Sequence, residues 1–317
     1  MPYGTDNEVL RNDVFRRNDV FRLLPPVLRA REFHLYLADG RRLTDLWQIG
    51  GEAILGHKPP QVIRELKNSA ERGLFAPLPH PAEGRFLKAL GRLFQIEFKN
   101  EDHRRFAFRI YSDRFSMLNA LANAPGIPPQ AIADMMADPV FSPGGNAEKY
   151  QISLWRPFLA DKSFSSSIYI PVLPWAFGPR VLAYDLTREG LFKNTMDEDP
   201  LPGDLVSPVL LAAAARAVYD LLASGDQGGR PRYAKIEKAL AVSKTWRRNG
   251  IYLTLNPALS AGGTSAALET SRQSWLDLWG RFRKSGFLLP PSPNEPLILP
   301  GSMSPGEEAK LAELLTG

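Results

Sequence analysis

Residues 31–67 read REFHLYLADGRRLTDLWQIGGEAILGHKPPQVIRELK, and the inner stretch GGEAILGHKPPQVI, Gly50 to Ile63, joins two different periodicities. Upstream of it, Phe33, Leu35 and Leu37 alternate with His34 and Tyr36, Asp39-Gly40 is a hairpin signal, and Arg41 to Trp47 resumes an extended pattern. Alternation of period two on both sides of a short glycine turn predicts two antiparallel strands. Downstream, Val62, Ile63, Leu66 and Ala70 fall on one face of a helix predicted over 60–72. A second amphipathic helix is predicted over 81–94, with Phe86, Leu87, Leu90 and Leu93 on its apolar side. The local order is therefore strand hairpin, glycine-rich loop, helix, helix.

Composition bounds what this order can belong to. With 317 residues, 44% hydrophobic and 23% charged, the chain can bury a core for one large domain or two unequal ones. No apolar run of the roughly 18 residues that span a bilayer is read, and the N-terminus is charged, so a cytoplasmic protein with no membrane partner is expected. The absence of cysteine excludes disulfides, thiolate metal sites and a cysteine nucleophile. A net charge of +5, interspersed with acidic residues and without a finger, zipper or RNP-like motif, gives no reason to expect a nucleic-acid partner.

At the start of the chain RNDVFR occurs twice in tandem, at 11–16 and 17–22. Two copies of six residues are too short for a stacked repeat, so the segment reads as a charged N-terminal arm, with a clamp onto a second subunit as the alternative. Catalytic signatures such as G-x-S-x-G, a P-loop or H-E-x-x-H are absent, and no metal site is read. The evenly separated His34, His57, His80 and His103 have unrelated neighbours, so their spacing carries no site. The aromatic and proline runs at 155–158 and 174–179 read as packing residues, with a ligand cleft as the alternative.

The 31–67 segment resembles the N-terminal part of class III aminotransferases, pyridoxal-phosphate enzymes of fold type I, at Asp39, Gly40, Asp45, Leu55, Gly56, His57, Pro60 and Val62. Position 58 holds a lysine, and proline at 59 replaces the family's histidine. Further landmarks follow in family order. Residues 207–218 resemble the helix that opens the small domain, 246–255 resemble a following strand, and 285–290, 296–300 and a helix over 304–315 resemble the closing elements.

The resemblance implies a cofactor held by a lysine Schiff base, an aspartate on the pyridine nitrogen and amides at a helix start on the phosphate. The phosphate turn corresponds to Ser112-Asp113-Arg114-Phe115, between a predicted strand at 106–111 and a helix at 116–124. It has lost its glycine, and Asp113 serves equally well as an N-cap. Asp185, ending the apolar strand 181–185 that follows another at 168–174, stands where the nitrogen partner is implied, although it could also cap a turn. For the lysine, Lys193 follows Asp185 too closely for a crossover to an adjoining parallel strand, while Lys162 and Lys149 precede the Asp185 strand. Lys58 belongs to another part of the fold, and no arginine follows Arg283 to take a substrate carboxylate.

The expected fold is therefore α/β, a reduced fold-type-I aminotransferase-like architecture: a mainly parallel central sheet flanked by helices, plus a small α+β C-terminal domain. Expected boundaries are an arm at 1–24, an N-terminal segment at 25–99, an abbreviated large domain at 100–204, interrupted by the loop signals at 125–129 and 142–146, and a small domain at 205–317. The expected function is a non-catalytic or repurposed ligand-binding or interaction protein that has lost the pyridoxal-phosphate lysine and needs no cofactor. The alternative is an active pyridoxal-phosphate aminotransferase using Lys193 or Lys162. A homodimer is implied by the family, with a small-molecule ligand and an intact aminotransferase as further partners.

Overall fold

The computed structural model describes residues 20–99, 105–124, 127, 152–160, 166–175, 178–187, 202–225, 233–256 and 265–316, the side chains of 265–272 excepted. Most of the RNDVFR arm, the loop expected at 125–129 apart from Ile127, the loop expected at 142–146, and Lys149, Lys162 and Lys193 lie outside the described residues. The chain divides into two units, one formed by residues 1–50 with 230–317 and the other by residues 51–229.

The first unit begins with the expected hairpin. Strands β2 (His34–Leu37) and β3 (Arg42–Asp45) pair antiparallel, and an additional strand β1 (Val27–Arg31), not expected from the sequence, pairs with β2. Asp45 closes the hairpin's exit: its buried Oδ1 accepts from Trp47 N at 2.8 Å and Gln48 N at 2.9 Å. Residues 246–255, expected as one strand, form a hairpin of β8 (Trp246–Asn249) and β9 (Tyr252–Leu255). Gly250 takes φ 63° at the turn, a backbone conformation that glycine adopts without strain. The unit holds two sheets, in the orders β1-β2-β3-β10 and β11-β9-β8, with β10 at Phe287–Leu288 and β11 at Leu297–Ile298. Its closing helix at Pro305–Thr316 occupies the expected place.

That helix starts with a carboxylate cluster of donors. Glu307 accepts from Ser304 N and Oγ at 2.8 Å each, and across the unit from His34 Nε2 at 2.9 Å, Thr44 Oγ1 at 3.0 Å and Arg42 Nη2 at 2.9 Å. Burial alone would raise its pKa, but these donors lower it from 4.5 to about 2. A carboxylate with a depressed folded pKa contributes stability that is complete above its unfolded pKa and is lost as pH falls through the folded one. Acid titration of unfolding should therefore show ~1–2 kcal/mol lost between about pH 5 and pH 2, discounted for partial exposure. Glu307→Gln should flatten the profile in that window; an unchanged profile would refute the assignment.

In the second unit, helices α1 (Pro60–Glu71) and α2 (Pro81–Glu97) follow the glycine-rich loop as expected, α2 running three residues further. His80 caps α2, its Nδ1 accepting from Ala82 N at 3.1 Å, so His34 and His80 serve separate local purposes. The sheet has the order β4-β7-β6-β5, from β4 (Phe106–Tyr111), β5 (Ile152–Trp155), β6 (Ile168–Pro171) and β7 (Arg180–Asp185). Within this sheet β5 and β6 are parallel, whereas β7 runs antiparallel to both β6 and β4, so the expected mainly parallel sheet is a mixed one. The cause is chain length: residues 172–179 are too few for the crossover of a dozen or more residues that a parallel return requires.

Helix α3 (Arg114–Asn123) covers one face of this sheet, closing a core of Tyr111, Met117, Leu121, Ile168, Leu182 and Tyr184. On α2, Phe94 meets Phe106, Phe108, Trp155 and Tyr169. Helix α4 (Pro208–Gly225) was expected to open the C-terminal domain, but it packs on α1 and α2 within the 51–229 unit. It is apolar nearly all round, with Leu211 to Ala215, Ala217 and Val218 buried, which requires cover on more than one side. Contrary to the sequence reading, α4 is long and apolar enough to cross a bilayer, with a mean hydropathy of 1.2 over 18 residues.

Candidate functional site

The end of the sheet at which β4, β5 and β6 finish collects most of the side chains singled out from the sequence. Asp113 caps α3, accepting from Ser116 N at 2.9 Å through Oδ1. Asp204 then occupies the same helix start. Its Oδ2 accepts from Ser112 N at 2.8 Å, Ser112 Oγ at 2.8 Å and Ser116 Oγ at 2.5 Å. Burial would raise the Asp204 pKa, and the Ser112 amide and the two hydroxyls more than offset it, holding the carboxyl below its usual range.

Asp204 reaches this point because residues 203–204 run along the free edge of β4. Asp204 N donates to Ile110 O at 2.8 Å, and a Cβ on Gly203 would stand 2.8 Å from that same carbonyl oxygen. Only glycine permits this approach. A cleft of about 280 Å³ lies alongside, lined by Glu83, Leu87, Phe108, Ile110, Gly203 and Asp204 among others. Neither Gly203 nor Asp204 was legible as a site residue, because nothing local to LPGDLV marks a segment that reaches back to 110–116.

Asp185 stands elsewhere. Strands β4 and β7 pair from Phe106 with Asp185 to Tyr111 with Arg180, so Asp185 lies at the opposite end of the sheet from Ser112, Asp113 and Arg114, about 17 Å away along the strands. There its buried carboxylate is gripped by Arg105, with Nη2 at 2.7 Å and Nε at 3.1 and 3.2 Å, while Thr187 Oγ1 donates at 2.6 Å. Burial would raise its pKa, yet the Arg105 and Thr187 hydrogen bonds lower it below the ordinary value. This is a turn cap and an ion pair. The implied nitrogen partner and phosphate turn are not brought together.

By the geometry that the family resemblance implies, an aspartate and a lysine belong at the ends of two adjoining parallel strands. The parallel pair here is β5 and β6. After Trp155 of β5 comes Arg156, 5% exposed, and β6 runs out through Pro171-Val172-Leu173-Pro174-Trp175. A buried guanidinium would oppose a protonated pyridinium, and no lysine stands between β6 and β7. Within the 51–229 unit the described lysines, Lys58, Lys67, Lys88 and Lys99, are all exposed. Among the described residues the helix-start donors are engaged by Asp204, and a cation stands where the resemblance implies an anion.

The same end of the sheet carries one further ion pair. Arg180, the first residue of β7, places Nη2 at 3.0 Å from Glu52 Oε1 and 3.2 Å from Oε2, and its Nη1 donates to Trp175 O at 3.3 Å. Burial raises the Glu52 pKa above its usual value, and the charges of Arg180, Arg114 and Arg156 offset this only in part. Among the described residues no group of three or more His, Asp or Glu is placed to hold a metal.

No protein-family model matches the chain. Two uncharacterized proteins, from Treponema pallidum and Borreliella burgdorferi, are 38% identical over 76 residues and 35% identical over 72. Those stretches make up 24% and 23% of this chain, and they span only about a quarter of the relatives' length, 25% and 27%. Among solved structures, ornithine delta-aminotransferase of Plasmodium falciparum matches with a TM-score of 0.58 and 11% identity, over 96% of this chain and 97% of that one. A beta-phenylalanine aminotransferase from Variovorax paradoxus matches at 0.60 with 11% identity, over 96% and 93%. A transaminase with PLP bound matches at 0.59 with 14% identity, over 96% of each chain. At such identities the likeness is one of fold, and the α/β architecture is that of fold-type-I aminotransferases.

Proposed function

We propose that the chain is an aminotransferase-like protein that has lost the pyridoxal-phosphate lysine and acts as a non-catalytic or repurposed ligand-binding or interaction protein. The observation that carries this reading is the exit of the parallel pair β5 and β6, where Arg156 and the run Pro171 to Trp175 take the places in which the resemblance implies an aspartate and a lysine. The Asp204 carboxylate supports it by holding the donors at the start of α3. An internal anion there opposes a phosphate by charge and by occupancy. The reading includes a homodimer, as the resemblance implies, a cytoplasmic location, as the charged N-terminus favours, and an intact aminotransferase as a candidate heteromeric partner. The competing reading, an active pyridoxal-phosphate aminotransferase with an atypically placed lysine, draws on the solved transaminase that holds PLP on the same fold.

Spectrophotometric titration separates the two. Pyridoxal phosphate added to the purified full chain should produce no Schiff-base absorbance that depends on one particular lysine, and Lys162→Ala and Lys193→Ala should each leave the spectrum as it is. A stoichiometric band abolished by either substitution would overturn the non-catalytic reading.

A further inference from the structure

The RNDVFR repeat plays no part in the proposed function, yet its second copy has a defined seat. Val20 is 5% exposed, and the ring of Phe21 lies 4.9 Å from that of Trp47 with the planes tilted by 42°. Trp47 is a prepared platform: its backbone N–H donates to Asp45 Oδ1 at 2.8 Å and its indole Nε1 to Glu295 Oε2 at 2.8 Å, so main chain and ring are both held without Phe21. The chain then turns away through two bonds, Leu23 N to Val20 O at 3.1 Å and Leu24 N to Phe21 O at 3.0 Å, and the guanidinium of Arg283 donates to Leu23 O. All these groups belong to one unit, residues 1–50 with 230–317.

Sequence identity makes this seat ambiguous. Residues 11–16 repeat 17–22 one for one, so every side chain that the second copy brings to Trp47 has a counterpart six positions earlier, Val14 for Val20 and Phe15 for Phe21. Each chain therefore carries two equivalent plugs for the seat at Trp47. Seating Val14 and Phe15 on their own chain would close residues 17–22 into a loop between two fixed points, at a cost in chain entropy. Seating them on a second molecule closes no such loop. Seven residues separate Phe15 from Leu23, a reach of about 25 Å when extended, enough to cross to a neighbouring molecule. When two chains exchange in this way each seat stays filled by a Val-Phe pair, so the contacts balance and concentration decides the outcome.

We propose that RNDVFR is a docking peptide, that the surface at Trp47 is its receptor, and that two molecules of this chain exchange arms through it. The first copy of each occupies the seat of the other, and the second copy becomes the connecting segment. The exchange deepens the homodimer reading above by naming a contact, and it is independent of whether pyridoxal phosphate binds. A dimer held by another face alone would be untouched by changes in the arm.

Two measurements on the full chain test it. The double variant Phe15→Ala with Phe21→Ala blunts both plugs and leaves Trp47 in place. A fluorescent RNDVFR peptide should bind that variant saturably, read by polarisation, and the same peptide with alanine for its phenylalanine should not. Light scattering against concentration then reads the exchange. Phe15→Ala should weaken the association about tenfold, the worth of one aromatic anchor. Phe21→Ala should strengthen it, because that change weakens the unexchanged state and leaves the exchanged one its anchor. Opposite shifts from two phenylalanines in identical hexapeptides are a signature that a merely structural arm would not produce. A peptide that fails to bind would overturn the proposal, and so would equal shifts in the two single variants. Peptide binding with association unchanged in both would assign the first copy to the seat of its own chain and overturn exchange between molecules. None of these outcomes touches the lysine-dependent band that decides the cofactor reading.

Discussion

Phe94→Ala is expected to cost about 3–5 kcal/mol of stability. The Phe94 ring is fully buried on α2, and its centroid lies 5.2 Å from Phe98, 5.1 Å from Phe106, 5.3 Å from Phe108 and 5.6 Å from Trp155. Alanine there removes the transfer free energy of a benzyl group and leaves a cavity walled by rigid aromatic rings. Such rings cannot collapse inward as aliphatic side chains do, so the cavity persists and the cost falls in the upper part of the range. Urea unfolding should show the loss in midpoint with the slope unchanged, and Phe94→Leu should recover more than half of it. A loss below about 1 kcal/mol would mean that the cluster does not pack as described.

Arg105→Met is the second large effect, again about 3–5 kcal/mol. Its origin is electrostatic. The Asp185 side chain is 0% exposed and Arg105 holds it through Nε and Nη2, so removing that cation withdraws the bidentate guanidinium from a buried carboxylate on which Thr187 still donates. The paired double variant Arg105→Met with Asp185→Asn should be much closer to wild type, because a neutral amide carries no charge to strand. The sign with pH follows from the depressed folded pKa of Asp185. The ion pair contributes above the ordinary carboxylate value of 3.8, so the gap between wild type and Arg105→Met should narrow as pH falls below it. A gap independent of pH would show that Arg105 matters through packing on Phe98 and Phe106, over which its guanidinium also lies.

Local pattern made the frame legible and left the site largely hidden. The hairpin 34–45, the helices at 60 and 81, the strand 106–111 and the strand 180–185 all carry their own periodicity, and each forms where its residues predict. Strand direction is different, because it depends on the length of the connection to the next strand and on which neighbour accepts it. Asp185 ends a buried strand in the sequence as a cofactor aspartate would. The strand itself runs the other way, and that reversal alone carries the carboxylate to the far end of the sheet. Arg156 passed as one of a run of packing residues, since WRPF shows neither its burial nor its approach to Glu52. Asp204 was invisible for a similar reason: its two serine partners, Ser112 and Ser116, are some ninety positions away in sequence.

The pairing of Thr44 with Phe287 places β3 beside β10, although all of residues 51–229 lie between them in the chain. On the ribosome this fixes an order of events. The 51–229 unit has its full set of residues while β10 is still unmade, and β3 must wait for its parallel neighbour with one row of amides and carbonyls unmatched. A waiting strand edge is a template for pairing with another copy of the chain. Expression yield should accordingly be governed by the time between the synthesis of Asp45 and that of Leu288, and a co-expressed chaperone should raise it more than any stabilisation of the unit that finishes first.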